Sequence, residues 1–199
     1  MKPLRLWLPI NGIKVEIIIP GEYVESIMVP AAEHEAGHIV AAHHLNARVL
    51  GIAVGFRPDL SHRDMFLQAL YVGKGLTVAN QCVVKAAGPA ADILFHGEFD
   101  EVGARGDLQD VEALTGQPTL APYLDEAKRI LKLYPTEFKC IASALRRSFE
   151  AEADRSMGLL PGNYMGTLLL DDMQLMECLS KTPDRSCFGS ISVGGIENS

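Results

Sequence analysis

The sequence predicts an α+β fold, mostly helical, with a small β-sheet and an N-terminal hairpin. Three observations carry that expectation. Asn11-Gly12, a dipeptide that favours positive φ at both centres of a tight turn, separates two apolar runs. An alanine-rich stretch over 30–46 has the composition of a buried helix. Beyond residue 77 most of the chain shows helical spacing, punctuated by Gly and Pro.

In chain order, Leu4–Ile10 and Ile13–Ile19 read as the hairpin strands, closed by Pro20-Gly21. The helix over 30–46 opens on Pro30, in the first turn where a missing N–H costs nothing. Arg48–Phe56 reads as a strand, 57–63 as a polar loop around Pro58, and 66–72 as a second strand. A helix over 77–96 should kink or divide at Gly88-Pro89, because an internal proline removes a hydrogen bond and crowds the preceding turn. A Gly-rich loop follows over 97–106. Further helices are expected over 107–115, 122–134 and 136–157. The pattern breaks over 159–163, and a last helix is expected over 164–180. The Ser- and Gly-rich end reads as frayed. The expected organisation is one domain over 1–180, with the hairpin at 4–19, a site-bearing core over 28–115 and C-terminal helices over 122–180. A flexible tail over 181–199 follows.

At 199 residues, one domain can hide roughly 70% of its unfolded surface. The formal net charge of −7 argues against nucleic acid as a partner, since phosphate binding needs a clustered excess of Lys and Arg. The four cysteines, Cys82, Cys140, Cys178 and Cys187, form no CxxC pair and read as buried or idle thiols in a reducing compartment. Pro3, Arg5, Pro9 and Asn11 interrupt any apolar leader core. No apolar run approaches the roughly 20 residues that cross a bilayer. The expectation is a cytoplasmic protein with no membrane partner.

The informative motif is His34-Glu35-Ala36-Gly37-His38. On a helix, residues i and i+4 share a face, so both imidazoles can bind one metal ion. Zinc suits them, with nitrogen ligands at about 2.0–2.1 Å. Glu35 is turned about 100° from His34, which directs it toward a water on the metal rather than the metal itself. That is the arrangement of HExxH metallopeptidases, with the Glu as general base. The bland alternative is a helix carrying two solvated or core histidines and an unrelated Glu.

A catalytic zinc needs a third protein ligand and an open fourth position. His44 is one candidate, because the chain nearly matches H-E-x-x-H-x-x-G-x-x-H. Ala41 stands where that pattern needs Gly to end the helix, so His44 should stay on a continuing helix, away from the ligand face. His43 and His44 then read as helix-end histidines. The other candidate is an acid further along the chain.

HEAGH followed by aliphatic and small residues resembles the peptidase domain of the FtsH-type ATP-dependent zinc metalloproteases. A second block, AAGPAADILFHGE over 86–98, looks like that family's A-G-R-A-A-E-E-x-x-F-G helix. Gly103-Ala104-Arg105-Gly106-Asp107-Leu108 resembles its G-A-x-x-D-L, whose Asp is the third zinc ligand. By that match Asp107 completes the site with His34 and His38; the alternative for Asp107 is a helix N-cap near Leu108. The resemblance spans about 28–115 and implies a zincin-like metallopeptidase fold. Pro89 departs from the family's Arg, and the family's ATPase and membrane segments have no counterpart in these residues.

Other residues carry paired readings. Asp92 is either an acceptor that orients a ligating imidazole or a solvated carboxylate. Asp110, one turn after Asp107, has the same two options. His96 reads as a helix-end residue. Strand Arg48–Phe56 offers an edge for an extended peptide or sits fully paired in the core. Tyr71 and Arg105 are candidate oxyanion stabilisers. The function expected is a zinc-dependent peptidase acting, without an unfoldase of its own, on unfolded or flexible protein or peptide. The alternative is a non-catalytic regulatory or binding protein that keeps the fold. The resemblance also implies a homo-oligomeric ring or a partner ATPase in trans, although no heptads support assembly.

Overall fold

The computed structural model describes residues 2–10, 13–56, 65–99, 101, 103–150, 155–160 and 164–180. Strands β1 (Leu4–Ile10) and β2 (Ile13–Ile19) pair antiparallel from Leu4↔Ile19 to Ile10↔Ile13, the register that a two-residue turn imposes. Asn11-Gly12 itself lies outside the described residues, as do the loop 57–63, Cys187 and the tail 181–199. Alternation puts Leu4 and Leu6 in the core, together with Ile19.

Past Pro20 the chain is already helical, eight residues or more ahead of the expected start. A short turn, Gly21–Tyr23, leads into a π-helical turn, Val24–Met28, and then helix α1, Val29–His44. The wider π turn sits just before Pro30, where it gives the proline ring room against the preceding carbonyls. α1 runs through Ala41 and Ala42 to His44, as their helix preference requires. Its middle is buried on every side, which marks it as a central helix.

Strand β3 (Arg48–Phe56) and strand β4 (Met65–Val72) follow, then helix α2 (Val78–His96). Thr77 caps α2 by accepting from the Asn80 N–H at 3.1 Å, and Gly97 ends it at φ 88°. Of the expected kink or division at Gly88-Pro89, the division does not occur: one missing hydrogen bond is outweighed by the burial of Cys82–Val84 and Ala86–Ala91. Helices α3 (Arg105–Thr115), α4 (Ala121–Leu133) and α5 (Pro135–Glu150) come next.

The C-terminal third departs most from expectation. The helix expected over 136–157 stops at Glu150, and Arg155–Ser156 is strand β5, which adds in parallel to β1. The helix expected over 164–180 is instead strand β7 (Tyr164–Asp171) followed by helix α6 (Asp172–Leu179). β7 pairs with β3 on one side and with β6 (Gly158–Leu160) on the other. Thr167 and the run Leu168–Leu170 suit a strand half-buried in a sheet, and tertiary pairing decides what local spacing left ambiguous. Asp171 and Gln174 form a reciprocal capping box that starts α6.

The second sheet runs β4-β3-β7-β6. β3 is therefore paired on both sides and offers no edge; among the described strands, β4 and β6 are the outer ones. α1 lies between this sheet and helices α2, α4 and α5. Two of the expected idle thiols are not thiols: Cys140 on α5 and Cys178 on α6, with Cα atoms 5.5 Å apart, form a disulfide, while Cys82 is free and buried. No helix among the described residues is long and apolar enough to cross a membrane.

Candidate metal centre

Helices α1 and α2 cross at small residues, and that crossing builds the site. A Cβ on Gly37 would lie 2.4 Å from the Ala87 carbonyl oxygen, so only glycine allows the two backbones this close. One residue further, Gly88 lies under the two histidines. A Cβ there would fall 2.4 Å from His34 Nε2 and 2.5 Å from His38 Nε2.

One helical turn apart on α1, the two rings meet edge-on, with centroids 4.8 Å apart. Each ring is fixed from behind. His34 Nδ1 donates to Asp92 Oδ2 at 2.7 Å, and His38 Nδ1 donates to the Val84 carbonyl at 2.7 Å, both acceptors lying on α2. Both Nε2 atoms then face one oxygen, Asp107 Oδ2, at 3.2 and 3.3 Å. Asp107 lies within the first turn of α3, three residues past the N-cap Ala104, so the N-cap alternative for it does not hold.

This donor set fits zinc. Ligands about 2.0–2.1 Å from a tetrahedral zinc stand about 3.3 Å from one another, which matches both Nε2–Oδ2 separations. With both Nδ1 atoms committed as donors, neutral imidazoles turn two lone pairs toward a carboxylate. That arrangement is repulsive unless a cation or an added proton sits between them. His34, Glu35 and His38 also form a set of donors within 4.8 Å of one another. Asp107 Oδ2 stands 3.2 and 3.3 Å from the two Nε2 atoms, so both Asp107 and Glu35 are within reach as a third donor.

Glu35 is buried, and its Oε2 accepts the Ala69 N–H of β4 at 2.5 Å. Burial pushes its carboxyl above the usual range, against the pull of the charges at His38 and His34. For His34, burial favours the neutral ring, but hydrogen bonds to Asp107 and Asp92 and the Glu35 charge together raise it to about 10 in the metal-free protein. Burial also opposes ionisation of Asp107, yet His38 and His34 hold it well below the usual carboxylate range. The site is thus set up to keep Asp107 anionic and Glu35 basic.

An open cleft of about 650 Å³ leads to these residues. Its wall includes Phe66–Ala69 of β4, Tyr71, Lys85 and Arg105. His44 is not in it: its Nε2 pairs with Glu137 Oε2 on α5 at 2.6 Å, and its ring stacks on Tyr134. His96, at the end of α2, pairs with Glu33 at 2.9 Å. Asp110 pairs with Lys85 Nζ at 2.5 Å.

No family model matches the chain, and no curated protein matches it. The site therefore speaks through its own geometry. Sequence reading missed three of its parts: Gly88, Lys85 and the Ala69 N–H. Lys85, Gly88 and Asp92 lie at i, i+3 and i+7 on α2, one face of a helix. That spacing was the available signal for the first two; nothing in the sequence marks a backbone amide.

Proposed function

We propose that the chain is a zinc-dependent peptidase of the FtsH-peptidase kind, which hydrolyses peptide bonds in unfolded or flexible substrates. The observation that carries the reading is the convergence of His34 Nε2 and His38 Nε2 on Asp107 Oδ2 at 3.2 and 3.3 Å, with both Nδ1 atoms already committed. His34, His38 and Asp107 would hold the zinc. Bound there, zinc supplies a Lewis acid for the substrate carbonyl and brings the pKa of water toward about 7. Glu35, made basic by burial, takes the proton from the attacking water and passes it to the leaving amine.

The cleft supports an extended substrate. β4 is an outer strand of its sheet among the described residues, and Phe66–Ala69 border the same space as Glu35. A peptide laid along β4 would form backbone hydrogen bonds, an economy of recognition that tolerates many side chains. Tyr71 and Arg105 stand on the cleft wall, where they can face a developing oxyanion. A cytoplasmic setting belongs to the same proposal. The Cys140–Cys178 pair would meet thiol reductants there, so its redox state in freshly lysed cells tests that placement.

The deciding experiment compares zinc-loaded wild type with Glu35→Gln on a fluorescently labelled unstructured protein. Loss of cleavage by about 100-fold or more, with zinc retained, is the expected result. A zinc-loaded wild type that cleaves neither unfolded protein nor short peptide sinks the peptidase reading and leaves a non-catalytic binding protein on the same fold.

A further inference from the structure

Asp107 has two carboxylate oxygens, and the metal reading uses one. Oδ2 faces both imidazoles, while Oδ1 belongs to a carboxylate that is 9% exposed. A buried carboxylate oxygen without a partner is costly, and a carboxylate free to turn can present either oxygen or both. Among the described residues, the cation within reach of Oδ1 is Lys85, its Nζ 4.0 Å away.

Lys85 is itself fixed. Its Nζ pairs with Asp110 Oδ2 at 2.5 Å and lies over the Tyr71 ring, 5.6 Å from its centre, a cation–π contact. Its side chain is 21% exposed. Asp110 sits three residues after Asp107, one turn along α3, so a single helix supplies both carboxylates to one ammonium. On α2, Lys85 shares a face with Gly88, which clears space for the imidazoles, and with Asp92, which fixes His34. One face of α2 thus supports the site at three levels.

We propose that Lys85 is a positioning residue, clamped by Asp110 and Tyr71, that holds Asp107 Oδ1 aside so that Oδ2 alone faces His34 and His38. The proposal rests on the reading of His34, His38 and Asp107 as a metal site. It assigns Lys85 no contact with substrate. Lysine carries the charge on a stem long enough to reach from α2 to α3; arginine keeps the charge and the reach in a different shape, so it separates the role of charge from that of packing.

The test measures zinc dissociation constants by competition with a chromophoric chelator for wild type, Lys85→Met, Lys85→Arg and Asp110→Asn. It also records the visible spectrum of the cobalt-loaded proteins, which reports how many oxygens Asp107 presents. The expected result is affinity about 10- to 100-fold weaker in Lys85→Met with a changed cobalt spectrum. Lys85→Arg should recover most of the affinity, and Asp110→Asn should fall between. Affinity within twofold of wild type in a folded Lys85→Met overturns the proposal. If Lys85→Met does not fold, Asp110→Asn decides, because Asp110 is 55% exposed and its loss leaves the core intact; full affinity and an unchanged spectrum there overturn it. None of these readings needs hydrolysis, so a wild type that binds zinc but cleaves nothing counts against the peptidase reading alone. A wild type that binds no zinc overturns both.

Discussion

Gly88→Ala is the sharpest perturbation of this site. The added methyl carbon would lie 2.4 Å from His34 Nε2, 2.6 Å from His34 Cδ2 and 2.5 Å from His38 Nε2. Ordinary contact begins near 3.4 Å, so something must move by about 1 Å. Neither ring can move freely, because each is held at Nδ1 by a 2.7 Å hydrogen bond to α2, the helix that carries the new methyl group. Separating the backbones would open the close Gly37–Ala87 crossing and uncover the core residues packed around it. Overpacking of this kind costs about 1–3 kcal/mol, and the better helix propensity of alanine returns about 1 kcal/mol. Stability should therefore fall by no more than about 2 kcal/mol. Metal binding should suffer far more, since a ligand displaced by about 1 Å from a bond of about 2.0 Å no longer bonds; at least about 100-fold in zinc affinity is expected. Gly106→Ala is the control: its methyl group meets no atom within 4 Å, so zinc affinity should hold. Chelator competition and thermal unfolding, run on both variants, read the two quantities separately. Wild-type zinc affinity in a folded Gly88→Ala would refute the placement of the metal among His34 Nε2, His38 Nε2 and Asp107 Oδ2, beside Gly88.

Three further outcomes follow from the same structure. His44→Ala should lower stability by about 1–3 kcal/mol, because it strips the buried Glu137 of its partner, yet leave zinc content unchanged; loss of zinc in that variant would revive His44 as a ligand. Reducing the Cys140–Cys178 disulfide, which spans 38 residues, should cost up to about 4 kcal/mol in chemical unfolding, and an unchanged midpoint with both thiols free would refute a structural role. In the metal-free protein His34 should remain cationic at pH 8, its pKa being raised from 6.5 to about 10. The sign is that of a raised base: the stabilisation is fully present below 6.5 and is lost as pH climbs through about 10. A histidine NMR titration with its midpoint near 6.5 would show that Asp92 and Asp107 do not hold the proton there.

What the sequence revealed and what it hid divide along the range of the interactions. The β1–β2 hairpin and the bounds of β3 were legible because Asn11-Gly12 and a run of alternating or β-branched residues act locally. His34, Glu35 and His38 were legible because a helix puts a fixed spacing on one face. Asp107 and Asp92 were reachable only through a resemblance of motifs, since 73 and 58 residues separate them from His34. β7 was misread as helix because its partner, β3, lies more than 100 positions away and local composition favoured neither state. The disulfide was hidden for the same reason: Cys140 and Cys178 meet only once β7 has carried α6 back against α5.

On the proposed reading, holding the metal and reacting fall to different parts of the fold. His34 and His38 are fixed by a helix crossing made of Gly37, Ala87 and Gly88, where no flexible side chain intervenes. Such a crossing tolerates almost no substitution, and it also leaves little freedom for the imidazoles to adapt to other coordination geometries. Glu35 is held differently, by one hydrogen bond to a strand that also borders the cleft. A peptide that adds to β4 would compete for, or reorganise around, the Ala69 N–H that Glu35 now accepts. The base would then be released from β4 at the moment substrate arrives, with its proton affinity changed by the loss of that hydrogen bond, which currently favours the ionised form. On the proposed peptidase reading, substrate entry and general-base strength would be coupled through a single backbone amide, a link that needs no movement of His34, His38 or Asp107.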